Sequence, residues 1–164
     1  MRHFKAPQAP DNSLDHSNEN RLGIFLGGSI EMGAAERWQD RLVDRLSTLP
    51  CAARLDIFNP RRDDWDASWP NNYDFAPFRE QVGWEMERQM EADLLVYYFA
   101  ADTLSPITLL EMGLFHDRNP VIGTDARYKR LGNLMVTKDY FAMDIHAGWD
   151  SFVSAIEKRL ILLS

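Results

Sequence analysis

The amino-acid sequence predicts a three-layer α/β domain built on a mostly parallel five-stranded sheet. Three observations predict it. Short apolar runs of strand length alternate with segments whose apolar residues recur every three or four positions. The run "DLLVYYF" is apolar without interruption, the pattern of a strand covered on both faces. The segments between most strands are long enough to hold a helix that crosses back over the sheet, as parallel pairing requires. With 164 residues, 45% of them hydrophobic, the chain suits one domain with a proper core and is short for two.

Residues 1–20, "MRHFKAPQAPDNSLDHSNEN", are polar, carry two prolines and show no periodicity, so a flexible N-terminal arm is expected there, with residues 21–164 forming the single domain. "RLGIFLGG" reads as a buried strand running into a glycine turn. A helix follows over residues 34–49, with Ala35, Trp38, Leu42 and Leu46 on one face and Pro50 ending it. "ARLDIFNP" is the second strand, and "RRDDWDASWPNNYDFAP" is a long polar loop with two tryptophans, of the kind that forms lids and binding loops. Residues 77–91 form a helix with Phe78, Val82, Met86 and Met90 in a stripe, and "DLLVYYF" is the third strand. "SPITLLEMG" has the punctuation of a helix start, Ser105 as cap and Pro106 in the first turn. "NPVIGT" is a fourth strand, "GNLMVTKDYF" holds the fifth, and a last helix puts Trp149, Phe152, Val153, Ile156, Leu160 and Leu163 on one side. The resulting order, β-α-β-α-β-α-β-β-α, is that of a flavodoxin-like or Rossmann-like domain.

Composition excludes several classes of function. The net charge is −7 with both signs mixed along the chain, which leaves no electrostatic footprint for a nucleic-acid polymer or an anionic membrane. Cys51 is the only cysteine, which rules out an intramolecular disulfide and a cysteine-based metal site. His3, His16, His116 and His146 show no ligand spacing, so no metal is expected, and chemistry that needs only carboxylates and positioning implies no organic cofactor. No run of 18 apolar residues exists and the N-terminus has no apolar signal core, so a soluble, cytoplasmic protein is expected. Five tryptophans and several apolar helix faces leave room for a homo-oligomeric interface.

In an open parallel sheet, ligands lie at the carboxyl ends of the strands near the switch in strand order. Four stretches fall at such ends and are expected to converge: "GGSIEMG", "NPRRDDW", "AADTLSP" and "TDARYKR". Gly27, Gly28 and Ser29 allow close backbone approach to a ligand, or form an ordinary strand-to-helix turn, since neither the dinucleotide glycine spacing nor a P-loop lysine is present. Asn59 opens the second stretch. Arg61 and Arg62 there either bind phosphate or are solvated, solvation being the simpler reading. Trp65 and Trp69 either stack on a base or anchor the loop. Ser105 is most simply a helix cap, with substrate contact as a second role.

Glu111 raises the sharpest question. It is the one charge in "SPITLLEMG", flanked on the helical wheel by Ile107, Thr108, Leu114 and Phe115. A carboxylate there faces a cavity, has a partner, or lies at a wet helix edge. Glu85 borders the apolar stripe of its own helix, beside Phe78 and Val82. Two carboxylates converging on a pocket can divide labour, one attacking an anomeric carbon and the other handling protons.

The blocks "IFLGGSI", "WEMERQMEAD" and "SPITLLEMG" together resemble the nucleoside 2-deoxyribosyltransferase family and its relatives, the deoxynucleoside 5′-monophosphate N-glycosidases, over roughly residues 22–125. The most specific part is the register: Ala92 and Asp93 precede the third strand, and Glu111, in a Glu-x-Gly, follows eighteen residues after Asp93. The resemblance implies that Glu111 is the nucleophile. It also implies that Glu85, eight residues before Asp93, occupies the position of the family aspartate that transfers the proton. "SPITLLE" is similar to a deoxyribosyltransferase-like branch of the family.

Three departures stand out. Glu85 is one methylene longer than the family aspartate. Glu31 follows Gly28, Ser29 and Ile30, where the nucleotide-cleaving relatives tend to carry an arginine for the 5′-phosphate. Ser105 stands six residues before Glu111, where the transferases carry an aspartate and the nucleotide branch a serine. These markers disagree, and nucleoside and nucleotide both stay open as the small-molecule partner. The expected function is cleavage or transfer at the N-glycosidic bond of a nucleoside or nucleotide, through a glutamate nucleophile and a glycosyl-enzyme intermediate. The alternative is a non-catalytic nucleotide-binding or sensing module that uses the same pocket. Pockets completed across subunit contacts, as in the family, imply a homo-oligomer.

Overall fold

In the computed structural model, which describes residues 1–8, 21–31 and 35–163, six strands run parallel in one sheet: β1 (Arg2–Lys5), β2 (Leu22–Gly28), β3 (Leu55–Asn59), β4 (Leu94–Phe99), β5 (Val121–Thr124) and β6 (Asp144–Ala147). Their order is β1-β3-β2-β4-β5-β6, so the chain reverses its direction of travel across the sheet between β2 and β4. Helices α1 (Trp38–Ser47), α2 (Ala76–Glu91), α3 (Pro106–Leu114), α4 (Leu131–Phe141) and α5 (Trp149–Leu163) complete the domain.

The period-2 geometry of β2 and β4 explains why both read as unbroken apolar runs. Ile24, Leu26, Val96 and Tyr98 pack with Trp38, Leu42 and Leu46 of α1 and with Phe152, Ile156 and Leu160 of α5. The alternate residues Phe25, Leu95, Tyr97 and Phe99 pack with Trp84 of α2, Met112 of α3 and Leu134 of α4. With apolar neighbours on both faces, neither strand has a solvent side to mark with polar residues. The three layers expected from the sequence are thus present, with α1 and α5 on one face and α2, α3 and α4 on the other.

The sheet has six strands, not five, and two assignments change. Residues 2–5 belong to an edge strand, not to a flexible arm: β1 pairs with β3 from Arg2 opposite Asp56 to Lys5 opposite Asn59. Three interactions supplied by distant sequence hold it: the ladder itself, Phe4 against Phe58 at 5.9 Å, and Arg2 donating to the Asp56 carboxylate. None of them leaves a local signature in so short and polar a segment. Beyond it, Ala6 is buried and Gln8 offers its carbonyl to the Trp84 indole N–H at 2.8 Å. The rest of the expected arm, residues 9–20, lies outside the described residues. The second change is "GNLMVTKDYF", which forms helix α4, while the strand it was expected to hold is the four-residue β6 that follows. Leu134 is the buried anchor of α4, and Val136, Tyr140 and Phe141 are exposed, so the strand-like run of apolar residues reflects the outer face of a helix. The helix expected over 34–49 begins at Trp38, and Ala35 and Glu36 turn their carbonyls to Arg61.

Asp56 is 1% exposed and fastens three strands at one end of the sheet. Arg2, the first residue of β1, and Arg21, just before β2, both donate to its carboxylate, Arg21 from Nη2 at 2.7 Å. Burial alone would raise the Asp56 pKa, but the bonds to the two guanidiniums outweigh it and hold the carboxyl below its ordinary 3.8.

At the switch in strand order the backbones of β2 and β4 come very close. A Cβ on Gly28 would lie 2.5 Å from the Tyr98 carbonyl oxygen, and one on Gly27 would lie 2.5 Å from the Tyr97 ring. Tyr97 is fully buried and its hydroxyl is bonded, so the ring has nowhere to turn. Gly27→Ala is therefore expected to destabilise the fold by about 1–3 kcal/mol, read as a lower urea midpoint at unchanged slope. An unchanged midpoint would show that the ring gives way freely. Among the described residues no helix is long and apolar enough to cross a membrane, and no cluster of side chains could hold a metal ion.

Candidate active site

Gln81, Glu85 and Gln89 recur every fourth residue along α2 and therefore share one of its faces. Opposite them stands Glu111, in the second turn of α3 and 4% exposed. Gln89 joins the two helices: its Nε2 donates to Glu111 Oε1 at 2.9 Å and to the Glu85 backbone carbonyl at 3.2 Å. The orientation of this amide is fixed from β4, because the Tyr97 hydroxyl donates to Gln89 Oε1 at 2.6 Å. Glu85 is half-buried and accepts from Gln81 Nε2 at 2.8 Å.

Both acids are weakened. Burial raises the pKa of Glu111 above the ordinary 4.5, the neighbouring charge of Glu85 raises it further, and the Gln89 N–H only partly opposes these effects. Burial likewise raises Glu85, and the bond from Gln81 opposes it in part. Each carboxyl is met by a neutral amide, and neither has a basic ion-pair partner among the described residues. Two acids this coupled share protons as a pair, and over a range of pH they hold one proton and one negative charge between them. That arrangement suits a reaction needing an anion and an acid side by side. Glu111 thus has a partner and also faces a second acid, which answers the question its buried position raised.

The carboxyl ends of β2 and β4 meet beside α3. Ser29 Oγ accepts from the Ala100 N–H at 2.9 Å and lies 2.9 Å from Thr103 Oγ1 and 2.5 Å from Ser105 Oγ. Ser105 does not cap α3 with its side chain, contrary to the sequence expectation: its hydroxyl turns into this buried cluster and its backbone is left-handed, with φ 46°. Glu31 instead binds the two N–H groups that lead into the helix, its Oε1 accepting from Leu104 and Ser105 at 2.9 Å each. A negative group near a helix N-terminus is favoured by the helix dipole.

The remaining candidates are engaged in the scaffold. Asn59 accepts from the Arg61 N–H at 3.0 Å, and its Nδ2 lies 3.2 Å from His3 Nε2. Arg61 is not solvated, as the simpler reading had it. It is buried, and its guanidinium donates to the carbonyls of Ala35 and Glu36 at 3.1 Å each, clasping the segment before α1. Arg62 pairs with Asp64 and Glu80 and stacks on Trp69. Trp65 meets Trp69 edge-on at 5.1 Å, and Trp69 meets Phe75 at 5.8 Å, an aromatic knot within the long loop. Sequence reading missed Gln81, Gln89 and Tyr97. The four-residue spacing of the two glutamines about Glu85 was visible, but the hydroxyl of Tyr97 was hidden inside an apolar run. A separate surface depression of about 390 Å³, lined by Arg41, Arg45, Trp149, Val153 and Glu157, lies between α1 and α5, on the other side of the sheet from the acids.

The fold is similar to that in a crystal structure of a conserved protein from Enterococcus faecalis V583, with a TM-score of 0.56 at 15% identity, covering 85% of this chain and 99% of that one. At that identity the likeness is one of fold. No curated protein matches the chain. The family model described as nucleoside 2-deoxyribosyltransferase like matches residues 21–127, a stretch that runs from the start of β2 past α3 and holds both acids. The chain belongs to the nucleoside 2-deoxyribosyltransferase-like family.

Proposed function

We propose that the protein cleaves or transfers at the N-glycosidic bond of a nucleoside or nucleotide, with Glu111 as nucleophile and Glu85 as the group that moves the proton. The observation that carries this reading is the meeting of buried Glu111 with half-buried Glu85 from a different helix, each held by a neutral amide and each weakened by its surroundings. In the first step a Glu111 oxygen bonds to C1′ as the bond from C1′ to the base nitrogen breaks. The electron pair of that bond leaves with the base, which takes its proton from Glu85. In the second step a water attacks C1′, gives its proton to the Glu85 carboxylate, and releases Glu111 with the electron pair of the ester bond. A second base in place of the water gives transfer.

The barrier lies in the positive charge that develops on the sugar. Glu111 stands ready to face that charge without reorganising, because Tyr97 fixes Gln89 and Gln89 fixes Glu111. Glu111 is the weaker acid of the pair, since it feels both burial and the Glu85 charge; the charge developing on the sugar favours its anionic form, so this reading requires the shared proton to pass to Glu85 as the bond to the base lengthens. No metal or organic cofactor is called for, since carboxylates and positioning supply each step.

The test is a mass-spectrometric screen for free base after incubation with nucleosides and their 5′-monophosphates, with digestion of the quenched enzyme to find a sugar ester on the peptide that contains Glu111. Free base together with that ester is the expected result. Ligand-induced thermal stabilisation with no base released would favour the non-catalytic binding module instead.

A further inference from the structure

One polar atom beside the acid pair has no role in the scheme so far. Gln81 is 6% exposed, and its Nε2 donates to the Pro60 carbonyl and to Glu85 Oε1, both at 2.8 Å. Two acceptors around the nitrogen fix which way the amide faces, because flipping it would set oxygen against oxygen twice. The oxygen, Gln81 Oε1, is then buried with no hydrogen-bond partner. A buried acceptor left without a donor is costly, and native structures keep few of them without a reason. Here the orphan belongs to the same amide that touches Glu85, at the point where the leaving base must receive its proton. The Gln81 N–H takes Glu85 Oε1, so a proton held by Glu85 sits on Oε2. The two side chains therefore present one donor, the Glu85 O–H, and one acceptor, Gln81 Oε1.

Resting on the function proposed above, we infer that Gln81 and Glu85 read the base, and that the site takes nucleosides whose base carries an exocyclic amine beside an unprotonated ring nitrogen. Adenine offers that edge through N7 and its 6-amino group, and cytosine through N3 and its 4-amino group. The ring nitrogen accepts from Glu85 and the amine donates to Gln81 Oε1. In hypoxanthine the 6-oxo group would set a second acceptor against Gln81 Oε1. In uracil the N3–H would meet the Glu85 proton. Both oxo bases leave a buried group unpaired, which is the strongest means a site has of rejecting a close analogue. Because Gln81 Oε1 is buried, a base must shift its neighbours to reach it, and the new bond to the orphaned oxygen compensates in part.

The experiment compares base release from adenosine with inosine, and from cytidine with uridine, in their ribo and deoxy forms, using the wild-type protein and Gln81→Leu. The expected result is a preference of roughly tenfold to a hundredfold in kcat/KM for the amino member of each pair in the wild type. In Gln81→Leu the ratio is expected to collapse toward one, whatever happens to the absolute rates. Purine riboside, which has hydrogen at C6, is expected to fall between adenosine and inosine, a comparison that needs no variant. Equal or reversed rates for the amino and oxo members, with release still dependent on Glu111, would overturn the inference and leave the function standing. A preference that survives Gln81→Leu would remove Gln81 from it. No base released from any substrate would sink both.

Discussion

Glu111→Gln is expected to lose base release by about a thousandfold or more, and at the same time to make the folded protein more stable above neutral pH. The two effects have one cause. Glutamine keeps the shape and the oxygen that accepts from Gln89, so the network of Tyr97, Gln89 and residue 111 survives. It cannot supply an anion to C1′, and it removes the charge that repels Glu85. The sign of the stability effect follows from linkage. Both acids have folded-state pKa values raised above the ordinary 4.5, so the native state holds protons that the unfolded chain gives up. Their contribution is fully favourable below the unfolded value and is lost as pH rises through the folded one. Each pKa unit corresponds to about 1.4 kcal/mol, so a gain of about 1–3 kcal/mol at pH 8 is expected in the variant, shrinking toward zero at pH 4. Urea unfolding across that range measures it. Release that continues at the wild-type rate would remove Glu111 as nucleophile, and a variant no more stable than wild type at pH 8 would mean the acids do not strain the fold.

The other large effect is expected at the opposite end of the sheet. Asp56→Ala removes the carboxylate that both Arg2 and Arg21 grip and leaves two partly buried guanidiniums without that partner. Breaking one side of a buried ion pair costs about 3–5 kcal/mol, which for a domain of this size lowers Tm by roughly 10 °C. Hydrogen exchange should show the loss first in the amides of β1, the edge strand that holds Arg2 and, among the described residues, pairs only with β3. The pH dependence has the opposite sign to that of the acid pair. Asp56 has a lowered pKa, so its contribution is present above 3.8 and disappears as pH falls through its folded value. Together the two sites favour a stability maximum on the mildly acidic side of neutrality. A drop of less than 1 kcal/mol would show that the ladder and Phe4 alone hold the edge strand.

Much of this architecture was legible in the residues, for reasons that also explain the failures. The runs at β2 and β4 could be read because burial on both faces makes a strand wholly apolar, and α5 because its stripe is long and regular. β1 and β6 could not: each has four residues, and what makes them strands is a ladder to chain far away in sequence. Glu111 stood out because a charge on an apolar helix needs a reason; Glu85 was noticed beside the stripe of Phe78, Val82, Met86 and Met90, which is not the face that α2 buries, since Val82 and Met90 are exposed and Gln81, Trp84, Arg88 and Gln89 are buried. Arg61 was misread because a guanidinium that donates to two backbone carbonyls leaves no pattern in the sequence around it. Ser105 could not be seen to leave its expected role as cap, because its hydroxyl is drawn to Ser29 and its own N–H is held by Glu31, 74 residues earlier, where the backbone is left-handed with φ 47°.

The outermost strand also settles how the sheet ends. β1 is only four residues long, and two of its residues, Arg2 and Lys5, are held in ion pairs with Asp56 and Asp63, so this edge of the sheet is short and polar among the described residues. The next strand inward, β3, is buried along its whole length and would offer a neighbouring molecule a dry, hydrogen-bonding template if it were uncovered. The short N-terminal strand thus covers the β3 edge, one of the two edges of the sheet, and withdraws that template from edge-to-edge pairing.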